Sequence, residues 1–319
     1  MSLEIGGLKF ARGVFAAPMA SVSDRSFRRL CAEHGAELTY TEMISAKAIH
    51  YHDKKTDTLA DISSDIRPVC IQLFGHEPDI MAEAVRHISE KFSPDIIDIN
   101  MGCPVRKIVT SGDGSALMKD VRLIERLVSS AVDSTDIPVT VKMRTGWDDR
   151  SKNCVEAAKA AESAGAAAVC VHGRTKEQMY SSSVDLEMIA AVKNELSVPV
   201  IGNGGIMTAR GAVDMFEKTG CDAVMIARGA QGDPWIFEEA IALLKGNDYE
   251  RPCHDTVIKT ACLHLDMMCA DKGETAAVRE ARGQIPHYVK GFHGAAFVRG
   301  KLTTAESADE MKNILKSLR

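Results

Sequence analysis

The sequence predicts an α/β chain: a (β/α)8 TIM barrel over residues 1–247 followed by a small all-helical domain over residues 253–319. Three observations carry that expectation. Eight apolar runs recur between residues 14 and 229, nearly continuous in Val, Ile and Ala rather than alternating, as parallel strands covered on both faces should be. Amphipathic stretches with helix start signals stand between most of them. After a break at DYERP (248–252) the pattern changes to helix-period segments with no convincing strand. Eight strand–helix units close a barrel in ~250 residues, so a chain of 319 residues holds one large core and a modest appendage.

In chain order, VFAAPMA (14–20) leads into the amphipathic SDRSFRRLCAEHG, and LTYTEM (38–43) into SAKAIHYHDKKTDTLADISSD, where a short helix and loop are expected. VCIQLFG (69–75) precedes EPDIMAEAVRHISEK, in which proline suits the first helical turn. DIIDINM (95–101) runs into a loop of glycines, cations and one cysteine before DVRLIERLVSSAVD. VTVKMRT (139–145), AAVCVHG (167–173), VPVIGNG (198–204) and AVMIARG (223–229) are the last four strands, each followed by a helical segment. In the tail, TVIKTACLHLDMMCADKG, AAVREARGQIPHYVKGF, AFVRGKL and SADEMKNILKSL read as helices.

Hydrophobic residues at 45% and charged residues at 26% are ordinary globular values. No apolar run approaches the ~18 residues of a membrane span, and the opening MSLEIGGLKFARG lacks the apolar segment of a secretory signal. A soluble, cytoplasmic, monomeric chain without a metal is expected. The net charge of −5, from 39 basic and 44 acidic residues, predicts no general affinity for nucleic acid, so any RNA contact must come from a local patch. The nine cysteines form no C-x-x-C pair and read as reduced thiols. Eight sit as small core hydrophobes would. Cys103 differs, with glycine, proline, Arg106 and Lys107 around it.

In such a barrel the chemistry lies at the C-terminal ends of the strands. Those ends read Pro18, Met19 and Ala20; Glu42; Gln72; Asn100 with the Cys103 loop; Lys142 and Arg144; His172 and Arg174; Asn203, Gly204 and Gly205; Ala227 and Arg228. GNGG and ARG on the seventh and eighth strands suit a phosphate, since glycine lets backbone N–H groups approach an anion and Arg228 adds a bidentate donor. Gln72 and Lys142 suit the polar edge of an isoalloxazine: an amide that donates and accepts, and a cation that stabilises the reduced ring. The alternatives are simple tight turns for the glycines and a buried ion pair of Lys142 with Asp98 or Glu42.

The segments APMASVSDRSFRRLC, TEMISAKAI, IQLFG, DIIDINMGCPVRKIVTSGDGSALM, VKMRTGWDD, VHGRTKEQMY, VIGNGGI and IARGAQGDPWIF resemble, in order and spacing, the tRNA-dihydrouridine synthases, most of all the bacterial B type. NMGCP followed by VKMRTGW and HGRT is specific; GNGG is not. The tail REARGQIPHYVKGFHGA resembles that family's helical tRNA-binding domain. The resemblance implies reduction of the 5,6 double bond of uridine in the D-loop of tRNA, with FMN as cofactor and NADPH as reductant. By position it implies that Pro18, Met19, Ala20, Gln72, Lys142, Asn203, Gly204, Gly205, Ala227 and Arg228 hold FMN, that Cys103 is the acid, and that His172 and Arg174 line the same cavity. The chain departs from the family pattern at Ser182, where glycine is usual, at Leu186 for tryptophan, at Ala227 for glycine, and at Arg282-Gly283-Gln284, where the family has R-K-H.

The chemistry explains the thiol. A hydride delivered to C6 of uracil leaves an enolate-like carbanion at C5, which needs a proton from the opposite face. A thiol of pKa ~8.5 stays mostly protonated at neutral pH and can donate it. Asn100 could hydrogen-bond a uracil carbonyl, and Arg106 and Lys107 could meet phosphates around an extruded base. Arg144, Arg174, Lys176, Arg279, Arg282, Lys290, Arg299 and Lys301 could join them in one basic face. Two rivals remain at this level: a small-molecule flavin dehydrogenase of the dihydroorotate type, which has no need of a basic helical tail, and a non-catalytic RNA-binding protein on an inherited barrel.

Overall fold

The computed structural model describes residues 3–181 and 183–318. An antiparallel hairpin, β1 (Leu3–Ile5) and β2 (Leu8–Phe10), precedes eight barrel strands: β3 (Val14–Ala16), β4 (Thr39–Ser45), β5 (Val69–Phe74), β6 (Ile96–Met101), β7 (Val139–Arg144), β8 (Ala168–His172), β9 (Val200–Asn203) and β10 (Ala223–Ile226). Every expected strand forms. Neighbours from β4 to β10 pair in parallel, and β10 pairs with β3, Val224 opposite Val14. The remaining seam is closed by Ala16 N–H donating to Leu38 C=O and Glu37 N–H to Val14 C=O, both at 2.9 Å. The result is the (β/α)8 barrel read from the sequence.

Side chains alternate across each strand. Outward residues such as Ile71, Ile97, Val141, Val169 and Val224 pack under the surrounding helices. Inward residues at the N-terminal end, including Phe15, Tyr40, Cys70, Ile96, Ile201 and Met225, form a separate apolar layer. The hairpin closes that end. Ile5 and Phe10 are 1% and 4% exposed, and the Phe10 ring meets Phe15 edge-on at 4.9 Å. Burying each such side chain contributes ~1.5–3 kcal/mol. Its two-residue turn, Gly6 and Gly7, has φ of +54° and +87°, a conformation that glycine adopts freely. The sequence reading did not mark this hairpin.

Between β4 and β5 stand two short helices, Ala46–His50 and Lys54–Ala60. The loop after β6 folds into a helix at Arg106–Thr110 and a 3-10 turn at Gly114–Lys119. Beyond the barrel, helices His254–Lys272, Glu274–Gln284, Ala295–Leu302 and Ala308–Lys316 enclose a second core, into which the barrel side inserts Trp235. Lys272 Nζ bonds Asp24 Oδ2 at 2.8 Å and Arg25 pairs with Asp271 at 3.0 Å, tying this region beside the helix Arg25–Glu33. Five of the eight cysteines expected in cores are buried; Cys262 and Cys269 are half-buried, and Cys253 is exposed because it stands at the N-cap of a surface helix. No helix among the described residues is long and apolar enough to cross a membrane.

Candidate active site

The inward series changes character towards the C-terminal ends of the strands. Two residues beyond Cys70 comes Gln72; beyond Ile96 come Asp98 and Asn100; β7 contributes Thr140 and Lys142, β8 His172 and β9 Asn203. Strand register sets Gln72 opposite Asp98, Asp98 opposite Thr140, and His172 opposite Asn203. Above them opens a cavity of about 370 Å3 lined by residues from all eight barrel strands or the loops that follow them, among them Met19, Met43, Gln72, Cys103, Lys142, His172 and Arg228.

Polar groups in the floor are mostly joined. Thr140 Oγ1 donates to Asp98 Oδ1 (2.6 Å), Gln72 Nε2 to Asp98 Oδ2 (2.7 Å) and Asn100 Nδ2 to Gln72 Oε1 (2.8 Å). Asn100 Oδ1 accepts from Gly102 N–H (3.1 Å) and Cys103 N–H (2.9 Å). Lys142 Nζ donates to Asn203 Oδ1 (2.8 Å), and Asn203 Nδ2 to Met225 C=O (2.7 Å). The ion pair of Lys142 with Asp98 or Glu42 considered above is therefore not formed. Glu42 Oε2 instead accepts from Ser21 N–H at 2.5 Å, in a loop where Ser21 takes φ of +61°.

Electrostatics follow from burial. Burial lowers Lys142 from the ordinary lysine range. Burial, with Lys142, Arg144, Arg174 and Arg228 adding repulsion, holds His172 at about 2, so its ring is neutral at any working pH. His172 Nδ1 is buried without a hydrogen-bond partner among the described residues. Burial also raises the Cys103 thiol above its ordinary value, outweighing the Val105 amide and the Arg144 and Lys142 charges, so the thiol keeps its proton at neutral pH.

Pro18, Met19, Ala20, Gln72, Asn100, Cys103, Lys142, Arg144, His172, Asn203, Gly204, Gly205, Ala227 and Arg228 all line the one cavity. Gly204 and Gly205 take φ of +110° and +71°, and a Cβ on Gly204 would stand 3.2 Å from the His172 ring. Arg174 does not line it. The tight turn in which Arg174 N–H donates to His172 C=O (2.7 Å) takes the chain off the strand end, and the side chain is buried. A single basic face is also corrected: Arg144 and Arg174 are 2% and 6% exposed. Arg144 donates to the carbonyls of Gly102 (2.7 Å), Thr175 (2.8 Å) and Met179 (3.1 Å), bracing the Cys103 loop from the β8 side. Arg106 and Lys107 are exposed beside Val105, outside the cavity. Lys290 is exposed on the helical region, whereas Arg282 is half-buried with Nε bonded to Ala305 C=O at 2.9 Å. Gln284 is buried, its Nε2 3.3 Å from Ser21 C=O, so this departure from the family signature falls at the junction with the barrel. Leu186 opens the helix Leu186–Glu195 and packs on the barrel core, and Ala227 adds its methyl to the cavity wall. Ser182 lies outside the described residues.

Sequence reasoning missed Tyr180, whose ring lies 4.6 Å from the Arg228 guanidinium and 5.7 Å from that of Arg144 and forms part of the cavity wall. It stands eight residues past His172 in a loop, where no periodic signal points inward. Among the described residues no group of three or more His, Cys, Asp or Glu stands where it could hold a metal ion.

A cavity at the C-terminal mouth of a TIM barrel, with a largely buried cation, an unpartnered imidazole nitrogen and positive-φ glycines beside an arginine, has the place and lining of a ligand-binding site of a barrel enzyme. The chain belongs to the dihydrouridine synthase family: the model described as Dihydrouridine synthase (Dus) matches residues 15–318. It is 37% identical over 300 residues to the probable tRNA-dihydrouridine synthase of Rickettsia conorii, covering 93% of this chain and 90% of that one. It is 39% identical over 308 residues to tRNA-dihydrouridine synthase B of Xanthomonas campestris, covering 96% and 92%. Among solved structures, a 2-naphthoyl-CoA reductase complex matches with a TM-score of 0.58 at 11% identity, covering 77% of this chain and 52% of that one, a likeness of fold alone. The family is one of FMN-dependent oxidoreductases.

Proposed function

We propose that the protein reduces uridine to 5,6-dihydrouridine in the D-loop of tRNA, with FMN as cofactor and NADPH as reductant, acting in the cytoplasm as a monomer without a metal. The reading is carried by one observation: a protonated thiol, Cys103, lines the same cavity as Lys142, Gln72 and the Gly204–Gly205 and Ala227–Arg228 strand ends. The residues fit FMN. Gly204, Gly205, Ala227 and Arg228 would hold its phosphate; Gln72 and Lys142 would meet the polar edge of the ring, with Pro18, Met19 and Ala20 along its side. The neutral His172, whose Nδ1 has no partner among the described residues, would complete the contacts together with Asn203. When bound, FMN carries electrons from the nicotinamide to C6 of the uracil as hydride.

The remaining work falls to the chain. Cys103 delivers a proton from Sγ to C5, and the thiolate left behind regains one from solvent. His172, held neutral, is a poor competitor as acid, and Lys142 favours negative charge on whatever lies over it. Asn100 and Arg144 lie beside the thiol, where they would act on the uracil as well as on the loop. Arg106, Lys107, Arg282 and Lys290 would meet the RNA, as would the helical residues 253–319 packed beside the barrel of residues 1–247; Arg174, buried, would not. Purified protein should be yellow, form dihydrouridine in tRNA with NADPH, and bind tRNA more weakly as salt rises. Colourless protein that FMN cannot reconstitute, or a flavoprotein inert towards tRNA, overturns the reading.

A further inference from the structure

We propose that Asp98 is a positioning residue for Cys103, setting through Gln72 and Asn100 the direction of a hydrogen-bond chain that ends on the amides of the Cys103 loop. The role in catalysis rests on the function proposed above; the chain of bonds does not. Its members face one another across three adjacent strands, Gln72 opposite Asp98 and Asp98 opposite Thr140. Asp98 is 0% exposed, and its two oxygens accept from Thr140 Oγ1 (2.6 Å) and Gln72 Nε2 (2.7 Å). Gln72 Oε1 accepts from Asn100 Nδ2 (2.8 Å), and Asn100 Oδ1 accepts from the N–H groups of Gly102 (3.1 Å) and Cys103 (2.9 Å).

A carboxamide turned by 180° keeps its outline while exchanging oxygen for nitrogen, so packing alone does not choose between its two orientations. A carboxylate removes the ambiguity because it only accepts. Asp98 obliges Gln72 to present Nε2, which leaves Oε1 for Asn100. Asn100 must then present Nδ2, which leaves Oδ1 beneath Gly102 and Cys103. Reversing either amide would set oxygen against oxygen or N–H against N–H among side chains that are all buried, Gln72 and Asp98 almost completely. Burial pushes Asp98 up to about 6, against the Thr140 and Gln72 hydrogen bonds and the charge of Lys142, so it is still an acceptor at neutral pH. On its other side the loop is held where Cys103 C=O accepts from Ser115 N–H (3.1 Å) and Ser115 Oγ (2.9 Å). The Cys103 backbone is thereby fixed on both sides, and Asp98 decides one of them from the barrel interior.

The proposal is tested by residue-resolved amide exchange on the full-length chain as purified, a measurement that needs neither tRNA nor turnover. Asp98→Asn gives Gln72 a side chain that donates as well as accepts, so Gln72 and Asn100 can turn. Exchange at Gly102 and Cys103 should then quicken about tenfold, the protection one ordinary hydrogen bond confers. Combining Asp98→Asn with Gln72→Glu restores the polarity, with a donor at 98 and an acceptor-only group at 72 facing Asn100 Nδ2, and should return both amides to wild-type exchange. A role in packing alone predicts no such rescue. Wild-type exchange in Asp98→Asn, or continued fast exchange in the double variant, overturns the proposal. If Asp98→Asn does not fold, the double variant decides alone: a folded chain with slow exchange at both amides is expected, and failure to fold refutes the polarity.

Discussion

The two ends of the barrel interior are built on the same strands about 6.6 Å apart, two residues of extended chain, yet they do opposite work. At the N-terminal end Tyr40, Cys70, Ile96 and Ile201 make a dry layer closed by Ile5 and Phe10 of the hairpin. At the C-terminal end Gln72, Asp98, Lys142, His172 and Asn203 are buried or partly buried, and burial has moved the proton affinity of several: a lysine lowered, a carboxylate pushed up to about 6, an imidazole held at about 2. The lower layer stabilises the fold. The upper layer draws on that stability to keep its groups aligned. One alternating pattern thus carries structure at one end and chemistry at the other.

The sharpest way to separate the two ends is to remove the thiol. Cys103→Ala should lower uridine reduction by ~10²- to 10⁴-fold, the typical loss for a positioned acid, while flavin content and flavin reduction by NADPH stay at wild-type levels. Pre-steady-state absorbance followed through both half-reactions reads this directly. Wild-type dihydrouridine formation would remove Cys103 from its role, and loss of flavin would return it to packing.

The second contrast sets Ile96 against Lys142. Ile96→Ala opens a cavity in the dry layer and should cost ~2–5 kcal/mol of unfolding free energy. Lys142→Met replaces a largely buried cation with an apolar chain of similar length; it leaves Asn203 Oδ1 without its donor but no longer desolvates a charge, so the flavin-free fold should lose less than Ile96→Ala costs, while flavin affinity or its rate of reduction falls. Denaturant unfolding of both variants without flavin decides the matter. A destabilisation by Lys142→Met as large as that of Ile96→Ala would show that the upper layer is structural too.

The sequence made the architecture legible because strands covered on both faces leave uninterrupted apolar runs. It made much of the cavity legible because Gln72, Lys142 and Asn203 interrupt those runs near their ends. What it hid depends on distance across strands. Asp98 reads as a possible ion-pair partner of Lys142 until register sets it between Gln72 and Thr140. Arg144 reads as a rim cation, yet its guanidinium is taken up by the carbonyls of Gly102, Thr175 and Met179. The hairpin escaped because strands of three residues are too short to show a period.

The last contrast is a pH dependence that belongs to the upper layer alone. Burial raises Asp98 from 3.8 to about 6. The folded state therefore binds this proton more tightly than the unfolded one, and its contribution to stability is fully present below about pH 4 and lost as pH rises through about 6. The loss corresponds to roughly 3 kcal/mol, since each pH unit between the unfolded and folded values is worth about 1.4 kcal/mol. Asp98→Asn cannot titrate. Other groups act alike in both proteins, so the unfolding free energy of wild type minus that of the variant should fall by that amount between pH 4 and 7 and level off above. A substitution in the lower layer such as Ile96→Ala should give a flat difference over the same range. If the Asp98→Asn difference is flat as well, Asp98 is no more costly to ionise than an exposed carboxylate, and the contrast between the two ends of the barrel weakens at its most buried charge.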